Sequence, residues 1–265
     1  MPAYRLPSNW ARALAAGLLL TFAACCGWPA EARATEMVRI LAAGAVQGAV
    51  LRLEPAIAAS STAKLDAVFD TVGALRDRVL GGDAADVIIL SEAGMVALEK
   101  AGKIAGGSAV DIGRISVALA VPKGARVPDV ASPDALKQTL LSAGSLAHAD
   151  PARGATAGAH FARVLERLGI AEQVKARVTV LPFGGDVIAE VARGRFEIGV
   201  SQSSEIVAHP GVTLAGRLPA PYGHSTRYVA AKPAGAGVRS DSVLALLQTP
   251  AARSTFADFG FETDR

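Results

Sequence analysis

The chain has 265 residues, of which 51% are hydrophobic, 19% charged and 5% aromatic. This apolar share excludes an intrinsically disordered chain, and the shortage of rings excludes a stacking platform for single-stranded nucleic acid. The formal net charge is +3, but Arg5, Arg12 and Arg33 against Glu31 account for most of it, and without residues 1–34 the balance is +1, too nearly neutral to hold a polyanion.

Residues 1–34 read as an export signal. Arg5 and Arg12 precede an apolar run from Ala13 to Ala24, and Ala32-Arg33-Ala34 gives small residues on either side of an arginine just before Thr35. The run is short of the ~20 residues that a membrane-spanning helix needs. Phe22-Ala23-Ala24-Cys25 offers the alternative of a lipoprotein box with a lipid on Cys25. Both cysteines, Cys25 and Cys26, fall inside this segment. The exported chain is therefore expected to lack disulfides, thiolate catalysis and cysteine-held metals.

Beyond the signal the pattern is regular. Met37 to Ala42 reads as a buried strand, Gly44 to Gly48 as a small-residue turn, and Val46 to Ala59 as a helix with Val46, Val50, Leu53 and Ile57 on one face. Lys64 to Phe69 alternates as a strand. A helix with Leu75, Val79 and Leu80 follows Asp70-Thr71-Val72-Gly73 and stops at Gly81-Gly82. Asp86 to Leu90 is a near-continuous apolar strand, which suits a sheet covered on both faces, and Ser91 is placed to cap a helix from Glu92 to Ala101. Ile115 to Val121 is a strand with no helix signal before it. The strand–loop–helix rhythm resumes with Ser145 to Ala149, the loop 150–156 and a helix from Ala157 to Leu168. It continues through Val178 to Leu181, Phe183-Gly184-Gly185-Asp186 and a helix to Val191, then Glu197 to Ser201 followed by Gln202-Ser203-Ser204-Glu205. Tyr228 to Lys232 is a second isolated strand, and Ser242 to Leu247 starts a helix.

This alternation predicts an α/β fold with mostly parallel sheets. The two isolated strands flank the middle of the chain, as crossover strands between two lobes would. The expected organisation is lobe I at 36–117 and 228–265, and lobe II at 118–227, with one doubly wound sheet as the rival arrangement. In such sheets ligands lie outside the carboxyl ends of the strands, where helix N-termini present unpaired N–H groups suited to anions. The loops at 44–46, 71–73, 154–158 and 184–185 are rich in glycine and small residues that leave those groups uncovered, and Thr71, Thr156, Ser201, Ser203 and Ser204 add hydroxyls.

Four stretches carry a resemblance to a known family. Leu41-Ala42-Ala43-Gly44-Ala45-Val46, Thr71-Val72-Gly73-Ala74-Leu75 with Ala84-Ala85-Asp86-Val87-Ile88, Asp150-Pro151 through Gly158 with the helix to Gly169, and Val191-Ala192-Arg193-Gly194 with Glu197-Ile198-Gly199-Val200 resemble, in order, the periplasmic molybdate-binding proteins. The resemblance implies a two-lobed type II periplasmic binding protein, monomeric, without cofactor or metal. It would capture a small anionic ligand in the periplasm and dock with the permease of an ATP-driven (ABC) importer in the inner membrane. Carried over residue by residue, it places ligand contacts at Ala45, Thr71, Ala157, Gly185 and Gln202. Ala45 stands where the family commonly has a serine and Gln202 where it commonly has a tyrosine. Only backbone groups can act at Ala45, Ala157 and Gly185. This departure opens the alternative of an organic carboxylate, for which Arg153 in the third loop is the bidentate candidate.

Conventional catalytic motifs are absent from the sequence: there is no G-x-S-x-G, no H-E-x-x-H, no phosphate-loop signature and no dinucleotide fingerprint. Some members of the same periplasmic family resemble aconitate isomerases, whose double-bond shift needs a base and a carboxylate clamp. His148, His224 or Glu205 would be the base, and Arg153 or Arg227 the clamp. Outside that reading, His148 is expected to be structural and His160 to lie on the surface of its helix, with Tyr222, His224 and Arg227 near the surface before the returning strand.

Overall fold

The computed structural model describes residues 36–263; the segment expected to be an export signal, with both cysteines, lies outside the described residues. From β1 (Met37–Ala43) the chain passes through a 3-10 turn, Gly44–Val46, into α1 (Gln47–Arg52) and α2 (Glu54–Ser61), then β2 (Lys64–Asp70), α3 (Val72–Leu80), β3 (Val87–Ser91), α4 (Glu92–Lys100) and the long β4 (Val110–Pro122). It continues with α5 (Pro133–Ser142), β5 (Leu146–Ala149), α6 (Thr156–Arg167), α7 (Ala171–Val174), β6 (Val178–Leu181), α8 (Gly184–Ala192), β7 (Ile198–Gln202), α9 (Ser203–Val207) and β8 (Val212–Arg217). It ends with β9 (Ser225–Ala231), α10 (Val238–Leu247) and α11 (Pro250–Asp258).

The single helix expected from Val46 to Ala59 is broken at Leu53. Pro55 has no N–H to give the carbonyl four residues back, so it sits in the first turn of a new helix. Ser91 does cap its helix, accepting from the Gly94 N–H at 3.3 Å. Strand β3 is buried along its whole length, as its apolar run Val87 to Leu90 requires.

Strand pairing is parallel wherever helices make the connection: β1 with β2 and β3, and β5 with β6 and β7. Every antiparallel pairing involves β4 or β9, the two strands that stood apart in the sequence. The hydrogen-bonded order is β2-β1-β3-β9-β4-β7-β5-β6, with β8 also on β4. Strand β4 joins the two parallel sets by changing partners along its length. Val110–Ser116 pairs with β9, whereas Val117–Pro122 pairs with β7 and β8.

The apolar core follows the same division. One cluster runs from Val38 to Ile115 and from Tyr228 to Phe261; two others lie between Val117 and Leu218. By its contacts the chain from Glu36 onward is nonetheless one unit. Among the described residues no helix is long and apolar enough to cross a membrane.

Candidate functional site

The carboxyl ends of β1, β2, β5 and β7 open onto one cavity. It is lined by Ala43, Gly44, Ala45, Asp70, Thr71 and Val72 from one part of the core. Ala149, Ala155, Thr156, Ala157, Phe183, Gly184, Ser201, Gln202 and Glu205 line it from the other, with Tyr228 of β9. The cavity is small, about 30 Å³, room for roughly two or three waters.

Helix starts surround this space. The 3-10 turn at Gly44, α6 and α8 begin without a side-chain cap, so their first N–H groups are left to whatever occupies the cavity. Helix α3 is capped by Thr71, whose hydroxyl oxygen accepts from the Ala74 N–H at 3.2 Å. Helix α9 is closed by a reciprocal cap, with Glu205 reaching back to the Gln202 N–H at 3.3 Å. No lysine or arginine is among the lining residues; oriented peptide dipoles and hydroxyls supply the positive potential.

The hydroxyls are not equally available. Thr71 Oγ1 donates to the Arg153 carbonyl, and thus ties the start of α3 to the loop before α6. Ser201 Oγ donates to Glu205 Oε2. Thr156 Oγ1 accepts from Gln202 Nε2 at 2.9 Å and lies 3.4 Å from the Tyr228 hydroxyl. Thr156 and Tyr228 therefore keep a proton that can be turned toward the cavity. Burial pushes the Tyr228 pKa well above the ordinary tyrosine value, so this donor stays neutral.

Of the residues singled out in the sequence, Ala45, Thr71, Ala157 and Gln202 come together around the cavity. Gly185 does not border it; its neighbour Gly184 does, while a Cβ on Gly185 would meet the Phe183 ring at 2.7 Å. Arg153 is also absent from the lining. Its guanidinium is 3.2 Å from both carboxylate oxygens of Asp70. Arg227 is held by Asp111 at 2.8 Å and Glu92 at 3.3 Å.

Among the histidines, His148 is buried with Nδ1 2.9 Å from the Ala149 carbonyl and its ring edge-on to Phe161. His160, expected on the surface, is buried. Its Nε2 meets the Tyr222 carbonyl at 2.7 Å and its ring stacks on His224, which satisfies the polar ring inside the packing. Burial holds the pKa of all three of these histidines below the usual value, and Arg163 adds to this for His160 and His224. Tyr228 and Phe183 are the lining residues that sequence reasoning missed. Nothing local marks Tyr228, because only the pairing of β9 with β3 and β4 carries it to the cavity.

Two parallel βαβ regions joined by antiparallel crossover strands, with the cavity at the strands' carboxyl ends, are the fold of a type II periplasmic binding protein. Residues 38–262 match the family described as bacterial extracellular solute-binding protein, and the chain belongs to it. The periplasmic molybdate-binding protein of Azotobacter vinelandii superposes with a TM-score of 0.73 at 16% identity, over 86% of this chain and all of that one. The sulfate-binding protein SubI of Mycobacterium tuberculosis superposes at 0.64 with 18% identity, over 85% of this chain and 86% of that one. In sequence the chain is 32% identical over 194 residues to an aconitate isomerase of a Pseudomonas species, covering 71% of this chain and 72% of that protein.

Proposed function

We propose that this protein captures a small inorganic oxyanion of the molybdate or sulfate kind outside the cytoplasm and presents it to the membrane permease of an ABC importer. The observation that carries the reading is the cavity itself: uncapped helix starts and hydroxyls around a space for a few heavy atoms, with no cationic side chain in its wall. The related molybdate- and sulfate-binding folds support it. Ala45, Thr71, Ala157 and Gln202 form the wall together with Thr156, Gly184 and Tyr228, and Gly185 and Arg153 support it from behind. Residues 36–117 with 228–265, and residues 118–227, act as two lobes that close on the anion.

A thermal-shift screen with molybdate, sulfate, phosphate, citrate and aconitate tests this reading, because binding to the folded state alone raises the melting point by mass action. Molybdate or sulfate is expected to raise it in a saturable way. A shift with citrate or aconitate alone overturns the assignment.

The sequence similarity to an aconitate isomerase favours a second reading, in which a tricarboxylate undergoes an allylic proton shift. Glu205, which lines the cavity, is the base this reading would use. It ranks second because Arg153 and Arg227, the clamps such a substrate needs, are engaged by Asp70 and by Asp111 and Glu92. Following cis-aconitate with the purified protein by chromatography decides it: appearance of the trans isomer above the spontaneous rate establishes the enzyme.

A further inference from the structure

A carboxyl group in the wall of an anion site is a contradiction unless a proton resolves it. Glu205 lines the cavity, and its side chain is hemmed in by both sides of it. A Cβ on Gly44 would stand 2.8 Å from Oε1, and one on Gly184 would be 2.5 Å from Oε1 and from Ser201 Oγ. These glycines are the space that the carboxyl group fills. Ser201 Oγ and the Gln202 N–H both donate to Oε2, which leaves Oε1 as the oxygen beside Gly44.

The charged groups around Glu205 offer it no cation. The elements packed on α9 are the Gly44 turn, α1, α8, β4, β7 and β8. They bring Arg52, Asp186, Glu190, Asp111, Arg114 and Arg217. Arg52 pairs with Asp258, Arg217 with Glu262, Glu190 with Arg193 and Arg195, and Asp111 with Arg227. Asp70, in the same wall, is taken by Arg153. Tyr228 also faces the site, and the Glu205 charge helps to keep it protonated.

We propose that Glu205 couples anion capture to a proton: the occupied site holds one proton on or against this carboxyl group, so a fully ionised oxyanion binds only together with that proton. Two negative charges across so short a gap in a dry site repel strongly, and such a pair is relieved when one member is protonated. As a neutral acid, Glu205 changes from a repelling group into an O–H donor. Burial pushes its pKa up against the two donors that lower it, in the same direction. This rests on the oxyanion reading and adds the protonation state that the site selects.

The test is calorimetric titration of the full chain with molybdate, and in parallel sulfate, from pH 6.5 to 10, for the wild type and Glu205→Gln. Both anions keep a constant charge over this range, and the amide of Gln is a permanent donor of the same shape. Wild-type affinity is expected to fall about tenfold per pH unit once Glu205 ionises in the free protein, because one proton is linked to binding. The Glu205→Gln affinity is expected to stay flat. Should this variant not fold, wild-type titrations in two buffers of different ionisation heat read the same coupling, with one proton taken up per anion above that pH. Parallel profiles for the two proteins, or no proton uptake at pH 10, overturn the coupling and leave the oxyanion reading intact. No binding of either anion at any pH overturns the oxyanion reading itself.

Discussion

Thr71 does more in the folded chain than its place in a loop announces. Its hydroxyl oxygen caps α3 through the Ala74 N–H, and its proton goes to the Arg153 carbonyl across the cavity mouth. One side chain thus ends a helix and latches two loops that are 82 residues apart. Thr71→Val keeps the shape and loses both bonds. It is expected to lower the unfolding free energy by about 1–2 kcal/mol, the usual value of a lost cap, whereas Thr71→Ser restores it. Urea denaturation measures this; a valine variant as stable as the wild type would show the latch to be incidental. At this scale the sequence was a fair guide to residue types. Thr71, Gln202 and the small residues Ala45 and Ala157 do border the cavity. It misjudged partners: an arginine in a binding loop reads as free until the fold sets Asp70 beside it.

Among elements, the first turn of α3 and the 3-10 turn Pro151–Arg153 before α6 meet through glycine. A Cβ on Gly73 would lie 2.5 Å from the Arg153 carbonyl oxygen and 2.8 Å from Gly154 Cα. Both contacts are to backbone, so neither can swing away. Gly73 is inside a helix, where alanine is favoured by about 1 kcal/mol over glycine. The clash outweighs that gain, and Gly73→Ala is expected to hold the two loops apart and weaken the Thr71–Arg153 bond, lowering the melting temperature and costing at least tenfold in molybdate affinity by calorimetry. Unchanged affinity would mean that this contact has no part in capture. Elements with a strong period were legible: β1, β2, β3, α4 and α6 lie within a residue or two of their expected bounds. Missing were α5, α7, α9, β8 and α11. Strand β8 is only half-buried and α7 is a single turn, so neither carries a long apolar stripe.

For the whole molecule, the important feature is how few strands join the separate core clusters. Strand β4 changes partners between Ser116 and Val117, and the chain returns through the segment between Leu218 in one cluster and Tyr228 in another. Motion concentrated at these two crossings would open the cavity without disturbing either packed region. Small-angle scattering is expected to give a smaller radius of gyration with saturating molybdate than without it. Superimposable curves would rule out closure for that anion.

The sequence by itself determined the α/β alternation, the two odd strands and most of the loops that border the cavity. Each of these follows from period, apolar runs and turn residues within a dozen or so positions, and so is written locally. Tertiary structure alone decided that Tyr228 would join the site, that His160 would be buried, that Arg153 would turn to Asp70, and that Glu205 would line the cavity between Gly44 and Gly184. All four depend on groups remote in the chain. A side chain's environment is set by what packing brings against it, and the hydrogen bonds and charges that arrive this way leave no periodic trace in the residues themselves.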